Sequence, residues 1–191
     1  MTPDNPRNLA TYSAVYPGAI IGLVSPYSDG LREYKGSERV TPLIDRAILH
    51  HTGTTADQLD WFSHENGRGV CPTWYVRTDG TVYELIRPGR KPATTGPQWN
   101  YRSVSWELQN ATGAPGWEGT PAQFEAVARI LAWLASFDGK QLDGVPVSFK
   151  LDRTHLINHG EALPGTECPG PWWRARMDAL LERARAIRAA A

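Results

Sequence analysis

The pattern of apolar and polar positions divides this chain into short apolar runs, two amphipathic helical stretches and turn-rich connections. Leu43 to His50 is an apolar run with few polar interruptions, which predicts a strand buried on both faces and ending at His50. Thr54 or Thr55 is placed to cap a helix over 56–65, with Asp57 in its first turn and Asn66-Gly67 closing it. Thr73 to Arg77 and Thr81 to Ile86 are β-rich runs joined by Thr78-Asp79-Gly80, a hairpin signal. The Pro- and Gly-containing stretch from Arg87 to Tyr101 reads as a long loop, and Ser103 to Gln109 as the next strand. Thr120-Pro121 opens a helix whose Phe124, Val127, Ile130, Leu131 and Leu134 recur at helical spacing until Asp138-Gly139. Gly144 to Asn158 is ambiguous, a short strand and turn leading to His159, and 172–190 predicts one strong helix. Residues 1–41 read as irregular, apart from one short strand over Ala19 to Val24.

This order of strands and helices predicts one α/β domain over 1–191, a central mixed β-sheet flanked by α-helices. A chain of 191 residues is long enough for one sizeable core. Twenty basic residues balance twenty acidic ones, which argues against nucleic acid as a general partner. No run approaches the ~20 apolar residues of a membrane span, so no membrane insertion is expected. The polar start Met1-Thr2-Pro3-Asp4-Asn5-Pro6 shows no secretory signal. Two cysteines are too few for a disulfide framework. Cys71 is expected to be a buried thiol, with a Cys71–Cys168 disulfide as the competing reading. Trp99 and Trp117 fall in Gly/Pro-rich loops, where aromatic rings either pack or stack on a sugar or peptide.

Three separated residues carry candidate chemistry: His50 in Ile48-Leu49-His50-His51-Thr52, His159 in Ile157-Asn158-His159-Gly160-Glu161, and Cys168 in Thr166-Glu167-Cys168-Pro169-Gly170. Two imidazoles and a thiolate are donors that Zn²⁺ prefers, and three protein ligands leave the fourth position that a catalytic zinc keeps open. His51 must face away from its neighbour on a strand, and His64 and His155 lack comparable contexts. Glu107 is a charge inside the apolar strand Val104-Ser105-Trp106-Glu107-Leu108. It reads as a proton shuttle, against the alternative of a salt bridge to Arg102 or Arg153. Thr166 offers a hydroxyl that can donate to an oxyanion.

Taken together, Ile48-Leu49-His50-His51-Thr52, the run Arg77 to Leu85, Ser103 to Glu107, and His159 with Pro164 to Gly170 resemble the zinc-dependent N-acetylmuramoyl-L-alanine amidases of type 2, relatives of peptidoglycan recognition proteins. The Cys71 to Val76 and Lys91 to Tyr101 segments look most like amidase modules of actinobacteriophage endolysins. The resemblance covers 43–173. It implies a mixed sheet with helices packed on it and zinc in a surface groove held by His50, His159 and Cys168. Glu107 would be the catalytic acid and Thr166 the oxyanion donor. The implied reaction is hydrolysis of the amide between N-acetylmuramic acid and L-alanine of the peptidoglycan stem peptide. It also implies a monomeric lysin that moves from the host cytoplasm to the cell wall with the help of a separate pore-forming protein. Non-catalytic recognition proteins of this superfamily, the alternative, typically lose the cysteine that is present here as Cys168. The chain departs from many relatives in carrying Cys71-Pro72-Thr73 where a catalytic Tyr or His would stand, and Thr94-Thr95-Gly96 where they carry His-Ala-Gly.

Overall fold

Alternation along the strands splits the central sheet into an apolar face and a face that carries polar groups. The computed structural model describes residues 16–20, 43–63 and 67–191. Its elements in chain order are β1 (Ala19–Ile20), β2 (Arg46–His51), α1 (Leu59–Ser63), β3 (Trp74–Val76), β4 (Val82–Glu84), α2 (Pro97–Asn100), β5 (Ser103–Leu108), α3 (Pro121–Ala135), β6 (Gln141–Leu142), β7 (Val145–Pro146), β8 (Leu156–Asn158), α4 (His159–Ala162), α5 (Pro171–Arg174) and α6 (Met177–Ala189). Among the described residues the main sheet has the order β1-β4-β3-β5-β2-β8, with β6 and β7 forming a separate hairpin. Within the described main sheet the β3–β4 pair is antiparallel, and β1–β4, β3–β5, β5–β2 and β2–β8 are parallel. The expected single α/β domain with a mixed sheet between helices is the observed architecture.

Ala47, Leu49, Trp74, Val76, Val104, Trp106 and Leu108 point into one core with the apolar faces of α3 and α6. Trp74 stacks on Trp106 with centroids 5.3 Å apart at the middle of this layer. The opposite face carries Tyr75 and Leu85, which α1 covers with Phe62. All six residues of β5 are buried, as a strand covered on both faces requires. Register then decides what sits next to what. In the parallel pairing Leu49 lies opposite Trp106 and His50 opposite Glu107. Leu49 also lies opposite Asn158 of β8, so His159 begins beside His50. The carboxyl ends of β5, β2 and β8 thereby deliver three polar groups to one edge, where open α/β sheets place their ligands.

Local signals hold where nothing competes with them. Gly80 turns the β3–β4 hairpin at φ 85°, with Ala122 O only 2.9 Å from where a Cβ would stand. Thr120 and Gln123 form a capping box at α3. Thr120 Oγ1 accepts from Gln123 N at 3.1 Å and donates to Thr78 O at 2.6 Å. Thr120→Ala is expected to cost about 1–2 kcal/mol, read as a fall of about 2–4 °C in melting temperature per kcal/mol. An unchanged melting temperature would remove the cap from this account.

Three expected elements differ. The first helix begins at Leu59, not at 56, because Asp57 is engaged elsewhere. Its carboxylate accepts from Leu59 N and Tyr75 Oη and pairs with Arg77, while Gln58 N donates to Tyr75 Oη. The stretch 87–101 is not all loop, since Pro97–Asn100 makes a helical turn. The C-terminal helix is two helices, broken where Arg176 leaves helical geometry (φ −113°, ψ 5°). Both Trp173 and Met177 are buried across the break, and Arg174 is bonded to a neighbouring loop, so tertiary contacts override helix propensity there. Of the early segment expected to be irregular, residues 1–15 and 21–41 lie outside the described residues, as do His64 and positions 21–24 of the expected first strand. Among the described residues no helix is long and apolar enough to cross a membrane.

Candidate metal centre and catalytic cleft

The three candidate ligands meet. The donor atoms of His50, His159 and Cys168 all lie within 4.8 Å of one another. His50 Nδ1 stands 3.0 Å from His159 Nδ1, and His50 Nε2 stands 2.9 Å from Thr95 Oγ1. His159 starts α4 just after Asn158, whose side chain forms a capping box with Glu161. Cys168 comes from a loop that is tied back on α4 and β2. Gly160 N donates to Cys168 O at 3.0 Å, and His51 N donates to Cys168 Sγ at 3.3 Å. Arg174 Nη2 donates to Thr166 O at 2.6 Å and to Cys168 O at 3.1 Å. The guanidinium fills the space beside Gly160, where a Cβ would come within 2.4 Å of Nη2.

The ligands line a cleft of about 360 Å³ together with Glu107, Thr166, Gln58, Trp61, Arg68 and Thr94. Cys71 and Cys168 are both free thiols, which overturns the disulfide reading, and Cys71 is buried as expected. Arg102 pairs with Asp45, and Arg153 with Glu161, so the two arginines expected as salt-bridge partners of Glu107 are engaged elsewhere. Burial pushes the Glu107 carboxyl well above the usual carboxylate range, and Arg68 opposes that shift. A carboxyl raised in this way suits acid–base work near neutral pH. Thr166 Oγ1 accepts from Cys168 N at 3.2 Å, which leaves its own proton free to donate into the cleft.

His51, His155, Trp99 and Trp117 have local partners. His51 Nδ1 bonds Asn110 Oδ1 at 3.0 Å and its ring meets Trp117 edge-on. His155 Nδ1 bonds Asp152 Oδ1 at 2.7 Å. Trp99 Nε1 donates to Ala162 O at 3.0 Å, so that ring serves packing. Asn110, Arg68 and Arg174 have no role in the sequence reading, and Thr95 enters it only within the departure Thr94-Thr95-Gly96. Thr95 lies in the stretch read as loop, and Arg174 in the stretch read as one strong helix, so spacing alone carries no signal for either.

This donor set fits zinc: two imidazole nitrogens and one sulfur converge, with room in the cleft beside them. Ionisation sets a pH dependence. Burial, then the Glu107 charge, pushes the Cys168 thiol up, against the His51 amide and Arg174. Burial, then neighbouring cationic groups, holds His50 and His159 below the usual histidine value. Around neutrality the imidazoles are therefore already neutral, while the thiol must lose its proton to bind a metal. Zinc affinity is expected to rise about tenfold per pH unit from pH ~6 to ~8. A chelator-competition titration checks this, and a flat profile would mean that the thiol is not a ligand.

Comparison with known proteins bears on the fold and the family. Search among curated proteins finds no significant match. Similar solved structures include PlyL, at 16% identity and TM-score 0.60 over 87% of this chain and 96% of that one. A selenomethionine derivative of AmpD is similar at 16% identity and TM-score 0.60, over 88% of this chain and 97% of that one. The Ph2119 endolysin from the Thermus scotoductus MAT2119 bacteriophage Ph2119 is similar at 21% identity and TM-score 0.52, over 85% of this chain and 99% of that one. At these identities the likeness establishes the shared fold. The family model described as N-acetylmuramoyl-L-alanine amidase matches residues 40–171, a span that contains all three donors, Glu107 and Thr166, and the chain belongs to that family, Amidase_2.

Proposed function

We propose that this protein is a zinc-dependent peptidoglycan hydrolase of the endolysin type, cleaving the amide between the lactyl group of N-acetylmuramic acid and L-alanine of the stem peptide. One observation carries the reading: His50, His159 and Cys168 converge within 4.8 Å in a cleft shared with Glu107 and Thr166. The three donors would hold the ion, which supplies Lewis acidity toward the scissile carbonyl and toward water. Glu107 takes a proton from the attacking water and returns it to the departing L-alanine nitrogen. Thr166 donates its hydroxyl proton to the oxyanion of the tetrahedral intermediate. His51 keeps to Asn110 and stays out of the ligand set.

The catalytic unit in this reading is 43–173, within a single domain 1–191 that acts as a monomer, with 172–190 as C-terminal support. As a phage lysin it passes from the host cytoplasm to the cell wall through a pore made by a second protein. The test is digestion of purified peptidoglycan, with new amino termini and new reducing ends measured in parallel. Release of L-alanine amino termini that a chelator abolishes is the expected result. Reducing ends without amino termini would replace the amidase with a glycosidase.

A further inference from the structure

His50 has two ring nitrogens, and they face different neighbours. Nδ1 is directed at His159 and the metal donor set, while Nε2 meets the hydroxyl of Thr95 at 2.9 Å. Both residues are only 1% exposed, so solvent does not compete for this contact. A neutral imidazole carries one N–H and one lone pair, and the nitrogen that ligates must be the one with the lone pair. If Nδ1 ligates, the proton sits on Nε2 and needs an acceptor in a buried place. Thr95 Oγ1 is that acceptor. Its own proton has an outlet in Thr94 Oγ1, 3.1 Å away, so the buried Nε2–H and the buried Thr95 hydroxyl both have partners.

The loop that presents Thr95 is itself held. Asn100 Oδ1 accepts from Thr94 N at 3.3 Å and from Thr95 N at 3.0 Å. Asn100 belongs to α2, whose Trp99 is bonded to the carbonyl of Ala162 in α4, the helix that begins with His159. The short helical turn thus connects the partner of one ligand to the element carrying another.

We infer that Thr95 is a positioning residue for the metal centre: it accepts the Nε2 proton of His50, fixing tautomer and ring orientation so that Nδ1 faces the ion. This rests on the zinc reading above. Outer partners of this kind hold a ligating histidine in one tautomer, and their loss typically lowers metal affinity about 10–100-fold.

The test measures zinc affinity by competition with a chromophoric chelator for the wild type, Thr95→Val, Thr95→Ser and His50→Ala, with metal-free melting temperatures in parallel. Thr95→Val, nearly the same shape without the acceptor, is expected to weaken zinc binding about 10–100-fold. Thr95→Ser should recover most of that loss. Wild-type affinity in Thr95→Val would overturn the inference. Long-range proton–nitrogen NMR of the zinc-loaded wild type gives a second answer that does not depend on any variant folding. His50 Nε2 is expected to be protonated and Nδ1 metal-bound; Nε2 as the metal-bound nitrogen would overturn the inference equally. Wild-type protein that takes up no zinc, or His50→Ala with wild-type affinity, would instead take down the metal site itself and this role with it.

Discussion

Cys168→Ser is expected to lower zinc affinity by more than the roughly 10–100-fold that loss of an outer partner costs, and to abolish hydrolysis at ordinary zinc concentrations. The sulfur is the soft donor of the set, and a serine hydroxyl does not ionise at a pH where the protein is folded. The metal-free fold should survive. Cys168 Sγ accepts one backbone hydrogen bond, from His51 N, and a serine oxygen can accept the same bond. The loop is otherwise held by Gly160 N on Cys168 O and by Arg174 on the carbonyls of Thr166 and Cys168, none of which the substitution touches. Melting temperature without metal, zinc content after dialysis and amino-terminus release together separate the outcomes. A variant that unfolds would make Cys168 a packing residue, and one that keeps stoichiometric zinc and turnover would remove it from the ligand set.

Glu107→Gln should leave zinc content intact and reduce turnover about 10²- to 10⁴-fold, the range for loss of a positioned acid–base group. Gln keeps the shape and the strand pairing with His50 and Tyr75 while losing the exchangeable proton. The same substitution carries a stability signature. The folded-state pKa of Glu107 is raised, mainly by burial. Between the unfolded value of about 4.3 and the raised folded value, the folded protein holds a proton that the unfolded chain has released. Metal-free stability from this group therefore falls as pH rises through that window, by up to about 1.4 kcal/mol per pH unit. The buried His50 contributes the opposite slope below its unfolded value, so the difference between wild type and Glu107→Gln isolates the carboxyl. Parallel stability curves would show that Glu107 does not titrate abnormally, and unchanged turnover would remove it from the chemistry.

Much of this site was legible because it rests on local pattern. The apolar run ending at His50, the single charge inside β5 and the turn around Cys168 each mark a position where a chemical group interrupts a structural rhythm. Parallel pairing then converts those positions into neighbours, which no single segment reveals: His50 beside Glu107, and His159 beside His50. The misread parts are those where a tertiary contact outweighs local preference. Asp57 looks like a first-turn helix acid, yet Tyr75 and Arg77 use it to hold the entry of a shorter helix. Residues 172–190 have the composition of one helix, yet the burial of Trp173 and the Arg174 contacts sit on a separate short turn. Thr95 stands out in the sequence only as part of the departure Thr94-Thr95-Gly96, since its contact is with a histidine 45 positions away.

The central claim is that two imidazole nitrogens and one thiolate share a single zinc ion. X-ray absorption at the zinc edge of the purified, zinc-loaded protein reads that donor set directly. The expected spectrum contains one sulfur at about 2.3 Å and nitrogen or oxygen donors at about 2.0–2.1 Å, with the sulfur contribution lost in Cys168→Ser. A first shell of nitrogen and oxygen alone in the wild type would contradict the account.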